Sequence, residues 1–494
     1  MKSPPPPPYD FLVVGAGYAG LNAVAALQHA CPSATVLVLE QREEAGGCWN
    51  SLYSFVRLHQ PAFVFGVSGQ AASWGPDARS ELASRHGVLN HFQKYASSLP
   101  PTVAFLFSAS FVRCERGDAG LLHVDVAFAT RETTRVAARH VIDARGADLK
   151  LPQLACLREE HERVAECYSE ELRRVVQSRR GEACCYVVVG GGKTGCDAVT
   201  YLAKHAPPSS RVLLLQGRPL YFIRRDRMFP SGNCLKEISV PVASEVFLDW
   251  CKAYDGSNAL ELLRAAERDG LLMRVGEGEP QLTNLGVLSY EEKLTIEARA
   301  EIVPHEHFAE CQVDGARTTL VLRSGKTIEL GAEQRVVLVK AVGRLVEDYN
   351  ASGEPNVWKC MQHPIQPDGR VRIGAHFGFT GPSAYLLTIL LARGKLEELP
   401  FRGYNRLGTH NVDNLFYMST AIVWHALQAA RLVSPLDMMS CTIMFDKFGP
   451  MPRQLFALSK LLLASGKLEE QAHKLLHPLR PGVIEANGVG GGQK

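Results

Sequence analysis

Three groups of residues in this sequence have types and spacings that could do chemistry. The first is Gly15-Ala16-Gly17-Tyr18-Ala19-Gly20, answered downstream by the acid Glu40. The second is Gly190-Gly191-Gly192-Lys193-Thr194-Gly195, answered by Gln216-Gly217-Arg218 and then Arg224 and Arg225. The third is a set of scattered groups able to act as ligand, nucleophile or base: His59, the adjacent Cys184 and Cys185, and His305-Glu306-His307. In a G-x-G-x-x-G string the glycines have separate tasks. Gly15 permits the tight turn, Gly17 lets the main chain approach a pyrophosphate without a Cβ, and Gly20 lets helix and strand pack closely. A helix that opens there turns its N–H groups and positive dipole end toward the phosphates.

The elements needed to position such a turn are present. Tyr9 to Val14 is an apolar run expected as a buried parallel strand, Leu21 to His29 has helical spacing, and Ala34 to Leu39 reads as a second strand ending at Glu40. The order strand, glycines, helix, strand, acid is the dinucleotide-binding unit. It recurs with Cys185 to Val189, the string Gly190, Gly192 and Gly195, a helix from Cys196 to His205, and the strand Arg211 to Leu215. Gly192-Lys193-Thr194 is not a P-loop, because that pattern needs a glycine where Val187 stands.

The ends of the two units differ in charge. Glu40 can accept hydrogen bonds from ribose hydroxyls and would repel a 2′-phosphate, so the first site suits FAD or NAD better than NADP. At the second, Gln216 replaces the acid and Arg218 and Arg224 can meet a 2′-phosphate, which suits NADPH; the alternative for either arginine is a solvated loop. One cofactor that stays and one that visits implies hydride transfer from NADPH to FAD.

Composition bounds what else the chain can be. Its 494 residues exceed one ordinary core, and 46% hydrophobic with 21% charged residues is a globular composition. Lys and Arg number 54 against 51 Asp and Glu, too even a balance for the basic stripe that nucleic acid requires. The longest apolar run, Ala384 to Ala392, is too short to span a bilayer. The start, Met1-Lys2-Ser3 and Pro4 to Pro8, lacks the apolar core of a secretory signal, so a cytoplasmic chain with a short polyproline tail is expected. The 13 cysteines are scattered without a C-x-x-C pair, which argues against a disulfide framework or zinc site. Cys184 and Cys185 read as small buried hydrophobes, and His305 and His307, with no third ligand nearby, as structural.

After Glu40 come Gly46-Gly47-Cys48-Trp49 and then Tyr53-Ser54-Phe55-Val56-Arg57-Leu58-His59-Gln60-Pro61. This E-x5-G-G-x-W pattern resembles the class B flavin-dependent monooxygenases, and the Tyr-x5-His-x-Pro stretch is similar to the plant YUCCA-type members. Gly286-Val287-Leu288-Ser289 and Ala300 to Pro304 look like the late part of that group's NADPH domain. The resemblance covers roughly residues 9 to 395. It implies that NADPH reduces FAD, that O₂ adds to give a C4a-hydroperoxide, and that a small nucleophilic or carbonyl substrate takes one oxygen. It implies FAD contacts for Gly46, Gly47 and Trp49, and places His59 where relatives carry an asparagine near the flavin; the alternative for His59 is a structural histidine. Gly378-Phe379-Thr380-Gly381-Pro382 resembles the turn whose helix N-terminus faces the flavin, which brings Thr380 and Gly381 into the site, although no Asp stands in the turn.

The sequence also departs from that family. The stretch Leu157 to Tyr168 does not fit the diagnostic F-x-G-x-x-x-H motif, and the linkers read Ala144-Arg145-Gly146 and Ala341-Val342-Gly343. These changes bear on substrate and coupling, and leave a regulatory flavoprotein or an NADPH oxidase releasing H₂O₂ as alternatives. A thiol reductase is disfavoured because Cys48 is followed five residues on by Tyr53. The expected architecture is α/β, with two Rossmann-like dinucleotide-binding domains and a helical C-terminal extension. The FAD domain (9–165 and 341–403) is interrupted by the NADPH domain (166–340), a Pro-rich tail covers 1–8, and the extension runs over 404–494 with a mobile Gly-rich end. In that extension Val412 to Val433 and Gln454 to Leu476 show helical spacing, the latter with Leu455, Leu458, Leu462, Lys467, Glu470 and Lys474 in an amphipathic pattern. A cap over a core, an oligomer contact or a membrane-surface contact would all read this way; the cap is expected, since apolar stripes usually face a core.

Overall fold

The computed structural model describes residues 8–130, 132–146, 162–230, 242–280, 282–315, 317–331, 334–342, 362–404 and 412–482. The polyproline run apart from Pro8, the stretch Leu157 to His161, Gly343 and the Gly488 to Gly492 tail therefore lie outside the described residues.

Strand β1 (Tyr9–Val14) leads into helix α1 (Tyr18–Ala30) and strand β2 (Val36–Leu39). β1 is apolar on both faces because both are covered: Val13 packs toward α1, while Leu12 and Val14 meet Val124, Val126 and Val141. β3 (Val103–Leu106), β4 (Ala109–Arg116), β5 (Leu122–Phe128) and β6 (Thr133–Asp143) complete the sheet in the order β3-β2-β1-β6-β5-β4. Its β3-β2-β1-β6 half is parallel, whereas β4, β5 and β6 form an antiparallel meander. Along β5, Leu122, Val124 and Val126 alternate inward, the period of a strand with one face on the core.

A second, wholly parallel sheet has the order β10-β9-β8-β11-β7. Its strands are β7 (Val164–Tyr168), β8 (Cys184–Val189), β9 (Arg211–Gln216), β10 (Glu301–Pro304) and β11 (Arg335–Lys340). Helix α2 (Lys193–His205) crosses from β8 to β9. Cys184 and Cys185 are fully buried, and burial pushes the Cys185 thiol up to about 11, so neither is a thiolate at neutral pH. Between β9 and β10 the chain adds a small sheet (Leu220–Arg224, Leu272–Met273, Leu282–Leu288) and helix α3 (Ala243–Ala253).

The chain then returns to the first sheet. β5 releases the edge of β6 at Ala138, and β12 (Val371–Arg372) takes the vacated edge at Ile142 and Asp143. Helix α4 (Thr380–Ala392), apolar on every side, packs along α1 and is buried over Gly381 to Leu390. The remaining helices are α5 (Asp413–Leu432), α6 (Met451–Leu463) and α7 (Ser465–Leu475). α5 does cover a core, stacking Phe416 on Tyr254 and against Trp250 of α3. The continuous helix expected over 454–476 is instead two, α6 and α7, divided at Ala464. The stripe Leu455, Leu458 and Leu462 does not face a core: these side chains are exposed, and α6 turns Ala457 and Leu461 inward. No described helix is long and apolar enough to cross a membrane.

Candidate functional site

The two glycine turns are near copies in space. Gly15 (φ 101°) and Gly190 (φ 120°) hold positive φ, where a side chain is strained. A Cβ on Gly20 would stand 1.8 Å from the Gly15 carbonyl oxygen, and one on Gly195 also 1.8 Å from that of Gly190. Both linkers finish against the first glycine. The Ala144 carbonyl oxygen lies 3.3 Å from where a Gly15 Cβ would be, and that of Ala341 2.7 Å from the Gly190 position. The departures at Arg145 and Val342 thus leave the alanine carbonyl in place. Arg145 is paired with the buried Asp143 at 2.7 Å and lies over Phe111.

Around the first turn, Glu40 is buried and serves the main chain. Its Oε2 accepts the Ala16 N–H at 2.8 Å and its Oε1 the Arg42 N–H at 3.0 Å. Each oxygen keeps a second lone pair for a ribose hydroxyl. Gly46 donates its N–H to the Ala16 carbonyl at 3.0 Å, and a Cβ on Gly47 would reach within 2.8 Å of Gly17 Cα, so the Gly46-Gly47 pair closes on the turn. Trp49 is buried edge-on to Phe65. An open surface depression of about 510 Å³, lined by Arg42, Glu43, Glu44 and Asn50, lies close to Glu40 along the chain. Both polar atoms of the Asn50 amide are buried there without a protein partner. Tyr18 stacks on Phe65 at 4.4 Å and fills the space over Gly381, where a Cβ would meet its ring at 2.2 Å. Through that contact Thr380 and Gly381, the first residues of α4, are held against the start of α1.

The second turn opens into α2 with Gly192 as its N-cap, and a Cβ there would meet no atom within 4 Å. Gln216 is buried, with its Nε2 on the Val275 carbonyl and its Oε1 unpartnered. Arg218 is exposed beside His307, whose pKa burial lowers, with Arg218 and Arg323 lowering it further. His307, weighed above as a metal ligand, thus lies as an imidazole near Arg218 and Arg323 at the end of β9. Glu306 is turned to Lys326 and Ser324 instead, and no metal-binding group of side chains occurs among the described residues. Arg224 is not brought to Arg218: its guanidinium pairs with Asp226 at 2.5 Å and lies over the Tyr290 ring. Arg218 precedes the strand Leu220–Arg224 and Arg224 ends it, so the two arginines stand at opposite ends of that strand.

A bridge that sequence reasoning missed joins the two turns. Tyr53 donates its hydroxyl to Asp197 of α2 at 2.8 Å, and Lys193 pairs with the same carboxylate. Phe55 stacks on Tyr201 of α2 at 4.5 Å. The His59 carbonyl accepts from Arg225 Nε at 2.7 Å, and Arg225 pairs with Glu292. His59 is therefore placed against the second domain. Burial, with Lys193 and Arg225 adding to it, pushes its pKa down to about 3, so the imidazole is neutral at physiological pH. The only sequence signal for this bridge is the Tyr53-to-His59 stretch itself; Asp197, Lys193 and Glu292 carry none.

Two nucleotide-binding folds, each built on parallel strands around a glycine turn and the first completed only after the second, define the class: a two-dinucleotide-domain fold. Residues 9–229 match the family model described as pyridine nucleotide-disulphide oxidoreductase. An uncharacterized protein of Mycobacterium tuberculosis is 23% identical over 330 residues, covering 64% of this chain, and the chain spans 57% of that relative's length. The FAD-containing monooxygenase EthA of Mycolicibacterium smegmatis is 28% identical over 95 residues, 17% of this chain and 19% of its own. Among solved structures, the polycyclic ketone monooxygenase of the fungus Thermothelomyces thermophila superposes with a TM-score of 0.52 at 14% identity, covering 95% of this chain and 89% of that one. By architecture the chain shares the two-dinucleotide-domain fold of that ketone monooxygenase.

Proposed function

We propose that the protein is an FAD- and NADPH-dependent monooxygenase acting on a small nucleophilic or carbonyl substrate with O₂. The observation that carries this reading is the bridge from Tyr53 to His59, which ties the first glycine turn to α2 of the second. FAD fits the first turn on three features: the Gly17–Gly47 approach leaves no room for a side chain, the Glu40 carboxylate keeps free lone pairs, and Asn50 offers an orphaned amide to the adjoining depression. Bound there, FAD would supply two-electron redox chemistry and reaction with O₂.

The residues of this chain bind, orient and exclude water. Gly15, Gly17 and Gly20 with the N-terminus of α1 hold the flavin nucleotide's pyrophosphate, and Trp49, Phe65 and Tyr18 form a dry wall beside it. Thr380 and Gly381 present the positive end of α4 toward charge developing in the site. Gly190, Gly192 and Gly195 hold the second pyrophosphate, and Arg218, His307 and Arg323 favour a 2′-phosphate. His59, neutral and held through its own carbonyl, orients by hydrogen bonding and carries no net charge to the reacting centre.

The test is anaerobic mixing of the oxidised holoprotein with NADPH, followed by oxygen and a panel of amines, thioethers and ketones. Bleaching of the flavin band and substrate-dependent NADPH consumption are expected. A band that NADPH leaves unchanged, or peroxide release equal to NADPH consumption with every substrate, would overturn the assignment.

A further inference from the structure

Helix α6 carries an apolar face that no other described residue covers. Its inward residues are Ala457 and Leu461, both buried, and Leu461 meets the core around Leu248, Val423 and Leu468. At 100° per residue the opposite side runs Leu458, Met451, Leu462, Leu455, Ser459, Pro452, Leu463 and Phe456, an arc of roughly 160° that is apolar except for one serine. All eight are exposed, Leu463 at 87% and Leu455 at 53%. The helix cannot roll to hide this face. Arg453 and Lys460 are both anchored on the buried carboxylate of Glu245, at 2.7 and 2.9 Å, and both lie against the Phe456 ring.

Charge selects the occupant. From Lys447 to Leu468 the chain has no Asp or Glu; Arg453 and Lys460 share the single carboxylate of Glu245, which leaves that group net positive, and Lys467 adds an exposed cation. A second copy of the chain would bring the same net positive charge to the face. We propose that α6 docks the protein on the surface of an anionic lipid bilayer. The helix lies in the interfacial plane, its leucines and Phe456 among the acyl chains and its cations at the headgroups. This is attachment to one leaflet, distinct from a spanning helix.

The experiment is flotation of the full-length protein with large vesicles of phosphatidylcholine and phosphatidylserine at roughly 70:30, against pure phosphatidylcholine. Binding to the anionic vesicles is expected, at least about fivefold weaker on neutral vesicles or in roughly 0.5 M salt, because the headgroup attraction is screened. The exposed double substitution Leu455→Glu/Leu462→Glu should reduce binding about tenfold or more with an unchanged thermal midpoint, and Lys467→Glu should weaken binding to anionic vesicles only. No flotation of the unaltered protein, or equal flotation of the double variant, would overturn the proposal. So would a vesicle-free dimer that the double variant dissolves, since it would assign the face to a second copy.

Discussion

Arg218→Ala tests how the second nucleotide site chooses its ligand. Arg218 is exposed, and no carboxylate pairs with it among the described residues, so its removal should cost the fold less than about 0.5 kcal/mol. A guanidinium hydrogen-bonded to phosphate contributes on the order of 1.5–3 kcal/mol when shielded. At this exposed strand end about 1–2 kcal/mol is expected, or a factor of roughly 5–30. The assay is steady-state kcat/KM for flavin reduction with NADPH and with NADH. NADPH should lose that factor while NADH, lacking the 2′-phosphate, is unchanged. Arg323→Ala should act in the same direction through its position beside His307. Raising ionic strength should shrink the NADPH preference of the parent more than that of Arg218→Ala. Equal losses with both dinucleotides would refute the reasoning, because they would mean that Arg218 shapes the loop and does not contact the phosphate.

Two further outcomes follow from buried groups. Tyr53→Phe removes the hydroxyl from Asp197 but leaves Lys193 to hold the carboxylate, so chemical unfolding should show a loss of about 1–2 kcal/mol; an unchanged midpoint would mean that the hydrogen bond does not fasten the bridge. His363, His376 and His425 are buried together around Phe401, and burial pushes their pKa values down to about 4, 4 and 3 from an ordinary 6.5. Their neutral forms favour the fold, so this contribution is complete above pH 6.5 and is lost as pH falls toward 4. With three protons taken up on unfolding, stability should drop by about 4 kcal/mol per pH unit in that window. Urea midpoints that stay level between pH 7 and 5 would contradict it.

The fold class was legible wherever short-range pattern suffices. The runs Tyr9–Val14 and Cys184–Val189 are apolar because parallel strands are covered on both faces, and each ends in glycines that the tight turn requires. Helix starts were read late by three residues at both turns, at Leu21 for Tyr18 and at Cys196 for Lys193, because periodicity registers only once apolar residues recur. Arg224 was read by proximity along the chain to Arg218, and the small sheet separates them.

Sequence alone determined the two glycine turns, the acid at one strand end and the neutral glutamine at the other, since each depends on residues within one βαβ unit. Only the tertiary structure decided what surrounds them. His307 and Arg323 reach Arg218 across a different part of the chain, and Asp197 finds Tyr53 across two domains. The same division holds for α6. Periodicity shows that Leu455, Leu458 and Leu462 share one side of a helix, but only the packing of Ala457 and Leu461 and the anchoring of Arg453 and Lys460 on Glu245 determine that this side faces outward. An amphipathic pattern records that a helix has two faces; which one the core receives is fixed by long-range contacts that the pattern does not contain.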